Sequence, residues 1–301
     1  MLIKFTVVFV LAVSARAFAF DLDTDFQGFI DIGSKELYVD YMAPAKDRPT
    51  VILLNGLTYS TVQWDKMTAS LKDVGLGVVR YDMDGMGQTL LKYGLPNQPI
   101  AYMDQVTDLD ALLKKLKLKG PFNIVGLSYG GAIAAEYAAR FPKKIENLIL
   151  MAPYTEALEK QDTWIKEQVA LTRLQFPLNP YSDDAIYDYF LKQICFTTYP
   201  LVEPIVLENP YKLEAVFRMT QGIRKLKVVD DVGRFPKNSV FLVSAQKDQY
   251  IPKDVLENFW AAIPDKAKVE RIEVKNSEHK IPEAQPKKAA EIVDKIVSRA
   301  K

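Results

Sequence analysis

The sequence predicts an α/β protein: a mostly parallel, doubly wound sheet with helices on both faces, plus one long helical insertion. Three observations carry this. Six short runs, apolar throughout or nearly so, recur along the 301 residues, as parallel strands covered on both faces do. Stretches with apolar residues at three- and four-residue spacing separate them, and that alternation winds a parallel sheet. The alternation breaks once, between Pro153 and Phe235, where about eighty residues hold many aromatics and prolines but no clear strand.

Taken in order, Phe29–Ile32 and Leu37–Tyr41 flank Gly33-Ser34 and read as a hairpin. The six strands are expected at 50–55, 77–82, 122–126, 147–152, 240–244 and 269–274, and the helices at 62–73, 102–118, 129–141, 252–263 and 286–299. A structureless loop as long as 154–234 is foreign to a compact domain, so that segment reads as a helical insertion forming its own small layer. The core is then 20–153 with 235–301.

Composition removes several function classes. With 49% hydrophobic and 11% aromatic residues the chain has the material for a core, which disordered chains lack. Its 39 basic and 38 acidic side chains give no field for nucleic acid. Cys195 stands alone and cannot form an internal disulfide; it reads as a small buried apolar residue. A single histidine excludes the zinc-hydrolase arrangements that use several imidazoles, and no metal or organic cofactor is expected. Residues 1–19 resemble a signal peptide: Lys4 near the start, an apolar run from Phe5 to Val13, and Ala17-Phe18-Ala19 as a small-x-small cleavage site. A first buried strand or an uncleaved anchor is the rival reading. Cleavage would remove Lys4 and Arg16 and no acid, turning the formal charge from +1 to −1. The expectation is an exported protein, periplasmic or secreted, without a stable membrane anchor.

Chemistry points to one loop cluster. Gly126-Leu127-Ser128-Tyr129-Gly130-Gly131 follows an expected strand and precedes an expected helix, the context in which a sharp G-x-S-x-G turn lifts a serine hydroxyl above a sheet. A serine needs a base to take its proton, and His279 is the only histidine. It lies between the last strand and the last helix, at the sheet edge where open α/β folds bind ligands. A carboxylate must hold the imidazole. Asp248 follows the strand 240–244 and gives the order Ser, Asp, His; Glu156, after the preceding strand, is the rival, and Glu278 is badly placed to face its neighbour's ring. For the oxyanion, Tyr129 supplies one backbone N–H and Leu57, in the turn Asn55-Gly56-Leu57-Thr58, is chosen for the second.

These residues resemble those of the α/β-hydrolases, and the resemblance covers nearly the whole chain after residue 19. Asp82-Met83-Asp84-Gly85-Met86-Gly87 is similar to the family's D-x-x-G-x-G turn, and His279 with Glu283 and Pro286 to its C-terminal histidine loop. The resemblance implies that 154–234 is a cap domain. The chain departs at Asn55-Gly56, where the family commonly has His-Gly. Ser128 argues against the family's dehalogenases and epoxide hydrolases, which use Asp there. The implied function is a serine esterase or lipase-like enzyme with a small-molecule ester partner bearing an apolar acyl group. A C–C bond hydrolase, amidase or aminopeptidase, thioesterase or perhydrolase would reuse the same triad, and a non-catalytic binding protein is the rival from another class. The oligomeric state is not written in the sequence.

Overall fold

The computed structural model describes residues 20–57, 59–94, 98–157, 159–197 and 211–299. The leader-like segment 1–19, Thr58 of the 55–58 turn and residues 198–210 of the insertion lie outside the described residues.

The strands are β1 (Phe26–Asp31), β2 (Glu36–Met42), β3 (Thr50–Leu54), β4 (Gly77–Asp82), β5 (Phe122–Leu127), β6 (Ile145–Met151), β7 (Val240–Ala245) and β8 (Lys268–Val274). They form one sheet in the order β1-β2-β4-β3-β5-β6-β7-β8. β1 and β2 make the expected antiparallel hairpin, β2 pairs antiparallel with β4, and every neighbour from β4 to β8 is parallel. The chain passes from β3 outward to β4 and then back across to β5 on the other side of β3. That reversal is a topological switch point, and α/β sheets place their ligands at the C-terminal ends of the strands flanking such a point, here β3 and β5.

The apolar runs explain the layering. Successive strand residues point to opposite faces, so Ile52, Leu54, Ile124, Leu148 and Leu150 enter one core and Val51, Leu53, Val125, Ile149 and Met151 the other. The first core is covered by α3 (Tyr102–Lys115), α4 (Tyr129–Arg140) and α8 (Lys253–Ala262), the second by α1 (Asp65–Asp73) and α10 (Pro286–Val297). Each fully buried Leu, Ile or Val contributes about 1.5–3 kcal/mol. Burial on both faces holds throughout β4, β5 and β7 but not at β8. β8 is an edge strand that carries Lys268, Glu270, Arg271 and Glu273; of its apolar residues Val274 is buried, Ile272 half-buried and Val269 36% exposed. Charge along an edge discourages further pairing. The expected helix 62–73 begins as a 3-10 turn, Thr61–Trp64, before α1. A short helix α2 (Gly87–Tyr93), absent from the sequence reading, follows the D-M-D-G-M-G turn.

Helices α5 (Glu159–Gln175), α6 (Asp183–Thr197) and α7 (Lys212–Ile223) fall inside the insertion and share a small core of Ile165, Tyr187, Leu191, Cys195, Val216 and Phe217. Ala215, Met219 and Ile223 of α7 enter the first core, and two backbone hydrogen bonds add to this seating of the layer on the sheet domain. Val228 N–H donates to Thr155 O at 2.8 Å, closing the insertion's neck, and Ile100 N–H donates to Arg218 O at 3.0 Å. Burial pushes the Cys195 thiol up to about 12, so the side chain is a neutral packing group rather than a nucleophile.

Beneath the neck, Glu136 of α4 is 6% exposed, and its Oε1 has no hydrogen-bond partner among the described residues. Burial raises its carboxyl from 4.5 to about 7, and the charges of Asp231 and Asp230 in the neck add to the effect while Arg234 opposes it. Between those values folded Glu136 holds a proton that the unfolded chain has released, so its contribution makes stability fall as pH rises through the window. Glu136→Gln should flatten that fall and raise Tm at pH 8, by no more than roughly 3 kcal/mol in stability. Thermal melts of both proteins from about pH 4.5 to 8 check this, and parallel Tm profiles would contradict it.

Candidate active site

The serine turn is built by backbone crowding. Ser128 sits at φ +52°, ψ −114°, a conformation that costs a side-chain-bearing residue energy and that its neighbours must enforce. Ser128 N–H donates to Met151 O at 3.0 Å, and Ser128 O accepts from Tyr154 N–H at 2.9 Å and Ala132 N–H at 3.2 Å. A Cβ on Gly126 would lie 2.3 Å from Gly130 O, and one on Gly130 would lie 2.2 Å from Leu54 O and 2.6 Å from Asn55 O. Both positions therefore require glycine, and the second lets α4 press its first turn directly against the end of β3.

Asp248 and His279 emerge from the turns after β7 and β8 on the same sheet edge as Ser128. His279 Nδ1 lies 3.0 Å and 2.9 Å from the two Asp248 carboxylate oxygens, and both side chains are buried. Asp248 Oδ1 also accepts the N–H groups of Tyr250 and Ile251, each at 2.9 Å. A carboxylate oriented this way takes the Nδ1 proton and leaves the Nε2 lone pair free to accept another. The Tyr250 ring meets the imidazole edge-on, with centroids 5.0 Å apart. His279 N–H points to Gln249 Oε1 at 3.4 Å, and Asn276 N–H donates to Gln246 Oε1 at 2.9 Å, so side chains of the acid turn hold the histidine turn in two places. Of the rival carboxylates, Glu156 makes no hydrogen bond to His279 among the described residues and Glu278 is exposed. No hydrogen bond joins Ser128 Oγ to His279 among the described residues; such bonds are commonly loose before substrate binds.

The turn after β3 is fixed by partners that the sequence reading did not single out. Asn55 is fully buried; its Nδ2 donates to Tyr81 O at 3.0 Å and its Oδ1 accepts from Trp64 Nε1 at 2.7 Å. An amide serves here because it offers a donor and an acceptor at once. Gly56 N–H donates to Gln63 Oε1 at 2.9 Å, and Tyr59 N–H to Gly56 O at 3.2 Å. Asp82 ties the next stretch to the D-M-D-G-M-G turn, accepting Thr61 N–H and Gln88 N–H at 2.7 Å each. Burial raises the Asp82 carboxyl while those two N–H groups pull it back down. Among the described residues, neither Leu57 N–H nor Tyr129 N–H donates to a protein acceptor. The Leu57 side chain packs against both the sheet core and the insertion's core. Trp64, nine residues after Asn55, was the available signal, since a buried indole needs an acceptor.

Comparison with known proteins agrees with this architecture. The metagenomic α/β hydrolase MGS-M2 from the Medee deep-sea basin superposes with a TM-score of 0.68 over 91% of this chain and 98% of its own, at 19% identity, a likeness of fold alone. Among curated proteins, bovine monoacylglycerol lipase ABHD6 is 33% identical over 107 residues, covering 35% of this chain and 31% of its own length. Abhydrolase domain-containing protein abhd-5.2 of Caenorhabditis elegans is 27% identical over 109 residues, 36% of this chain and 24% of its own. The chain thus spans less than a third of either relative's length. A family model described as alpha/beta hydrolase fold matches residues 49–284, well over half of the sequence, and the chain therefore belongs to the alpha/beta hydrolase family.

Proposed function

We propose that the chain is a serine hydrolase that cleaves carboxylic esters. Ser128 Oγ attacks the acyl carbon while its proton passes to His279 Nε2. Asp248 holds the imidazole and stabilises the imidazolium, and the N–H groups of Leu57 and Tyr129 receive the oxyanion. His279 then returns the proton to the leaving alcohol as the C–O bond breaks, and water activated by the same imidazole releases the acid from Ser128. The observation that carries the reading is the His279–Asp248 pair at 2.9 Å on the sheet edge that also holds Ser128 in its strained turn. The bovine relative's name, a monoacylglycerol lipase, favours an ester with an apolar acyl chain.

Ser128→Ala and His279→Ala should each lower p-nitrophenyl ester turnover by roughly 10⁴ or more while leaving Tm nearly unchanged. Asp248→Asn should cost about 10⁴, and Glu156→Gln less than about threefold, since no contact with the imidazole is lost. A fluorophosphonate probe should label Ser128 alone. Near-normal turnover in either alanine variant, or a larger loss in Glu156→Gln than in Asp248→Asn, would overturn the assignment.

We further propose that the insertion acts as a cap that sets acyl length. The triad touches only the reacting carbonyl, whereas the insertion's core reaches Leu57, and each methylene it buries is worth about 0.8 kcal/mol. In α6, Tyr187 is held by Asp162 at 2.8 Å and Tyr189 is 60% exposed, whereas Leu191 and Phe217 belong to the insertion core that Leu57 packs against; Leu191 and Phe217 are therefore the residues to change. Leu191→Ala and Phe217→Ala should shift the preferred chain length within an acetate-to-octanoate series and leave acetate turnover within about threefold. Equal factors on acetate and octanoate would show that the cap does not select.

Export is proposed on residues 1–19, with cleavage behind Ala19. Phe20 is itself buried, edge-on to Tyr41 at 5.1 Å, which would place the cut immediately before the packed chain. Among the described residues no helix is long and apolar enough to cross a membrane. N-terminal sequencing after expression in an exporting bacterium should read from Phe20; a cytosolic product beginning at Met1 would refute export.

A further inference from the structure

One side chain outside the proposed reacting groups touches two of the segments that they depend on. Gln63, in the turn Thr61–Trp64, is 5% exposed. Its Oε1 accepts Gly56 N–H at 2.9 Å, and its Nε2 points to Glu283 Oε1 at 3.4 Å. Glu283 lies four residues beyond His279 in the short helix α9 (Ile281–Ala284), whose first turn is closed by Glu283 N–H and Ala284 N–H on Lys280 O. The histidine segment, which leaves the sheet at the far edge strand β8, therefore returns across the sheet to reach the turn after β3.

The consequence for Leu57 follows from peptide geometry. Gln63 fixes the peptide between Asn55 and Gly56 through its N–H. The next peptide carries Gly56 C=O and Leu57 N–H, which point in opposite directions because the unit is planar and trans. Gly56 O is held by Tyr59 N–H at 3.2 Å. With the preceding peptide fixed and this carbonyl tied, the direction of Leu57 N–H is set. A carboxamide can accept at its oxygen and donate from its nitrogen at the opposite side of one planar group. A carboxylate at position 63 would keep the acceptor but oppose Glu283, and an alkyl group would offer neither.

Resting on the esterase reading, we infer that Gln63 is a positioning residue which aims the Leu57 donor and, through Glu283, makes the oxyanion turn and the histidine segment share one support. Donor and base are thereby kept in register by a single buried amide rather than by two independent turns.

The test compares the full chain with Gln63→Leu, Gln63→Glu and the double variant Gln63→Glu/Glu283→Gln, measuring kcat, KM and Tm with p-nitrophenyl acetate and the rate of fluorophosphonate labelling. In the double variant the bridge is re-formed with its polarity reversed: the carboxylate introduced at position 63 accepts from Gly56 N–H and from the amide introduced at position 283. Gln63→Leu and Gln63→Glu should each lower kcat about ten- to a hundredfold with KM changed less than about threefold, and slow labelling in parallel. The double variant should recover most of the loss in Gln63→Glu. A merely structural glutamine would lower Tm and leave kcat of the folded protein unchanged. A Gln63→Leu kcat within about twofold of the parent, or a double variant no faster than Gln63→Glu, would overturn the inference; where a single variant does not fold, the double variant decides. A parent that neither labels at Ser128 nor turns over ester overturns the esterase reading and this inference with it, whereas an active parent with indifferent Gln63 variants overturns this inference alone.

Discussion

The site depends on one close approach of backbone to backbone. The first turn of α4 lies against the C-terminal end of β3, with the Gly130 Cα where any Cβ would meet Leu54 O at 2.2 Å. That contact fixes Ser128 at positive φ and aligns the Tyr129 N–H at a helix start, where unbonded N–H groups favour negative charge. It also brings the Asn55–Leu57 turn beside the serine. The strain at Ser128 survives because three backbone hydrogen bonds and two glycines leave the chain no nearby alternative. The remaining groups need only be delivered to this point, which lies beside the reversal of strand order at β3 and β5, where α/β sheets place their ligands.

Polar burial sharpens that geometry. Asn55, Gln63, Asp82 and Asp248 are all largely removed from water, and each is satisfied by groups that the loops supply. Leaving any one of them unpaired would cost about 1–3 kcal/mol, so each loop is held to the conformation that satisfies its neighbour. Loops with few apolar residues are otherwise among the least constrained parts of a fold. Here directional bonds add to the packing of Leu57 and Trp64 in fixing those loops.

What could be read in the sequence was whatever depends on local order. The strands show as apolar runs, Ser128 stands in a motif whose flanks give it meaning, and His279 is the only histidine that could serve as its base. Asp248 follows from its place after a strand. Gln63, Tyr250 and Gln249 could not be found that way, because their roles arise from contacts across the fold and their residue types are unremarkable where they stand. β8 misled for a related reason: Val269, Ile272 and Val274 look like a buried strand, yet whether both faces are covered depends on position in the sheet, which is a tertiary fact. The short α2 was hidden by the glycines before it, which as a local signal read as a turn.

Leu57 joins the two halves of the molecule. Its N–H is held by a polar turn anchored on β3 and β4, while its side chain packs against the core of the insertion. The insertion in turn meets the sheet domain at its neck, at the Ile100–Arg218 bond and through Ala215, Met219 and Ile223, which enter the first core. Apolar packing is nearly non-directional, whereas a backbone N–H must point within a narrow cone to stabilise an oxyanion. If Leu57 N–H is the oxyanion donor and the insertion the cap, as proposed, the polar turn keeps the donor aligned while the cap adjusts around a substrate, and shape selection and charge stabilisation would act on the same residue through different atoms.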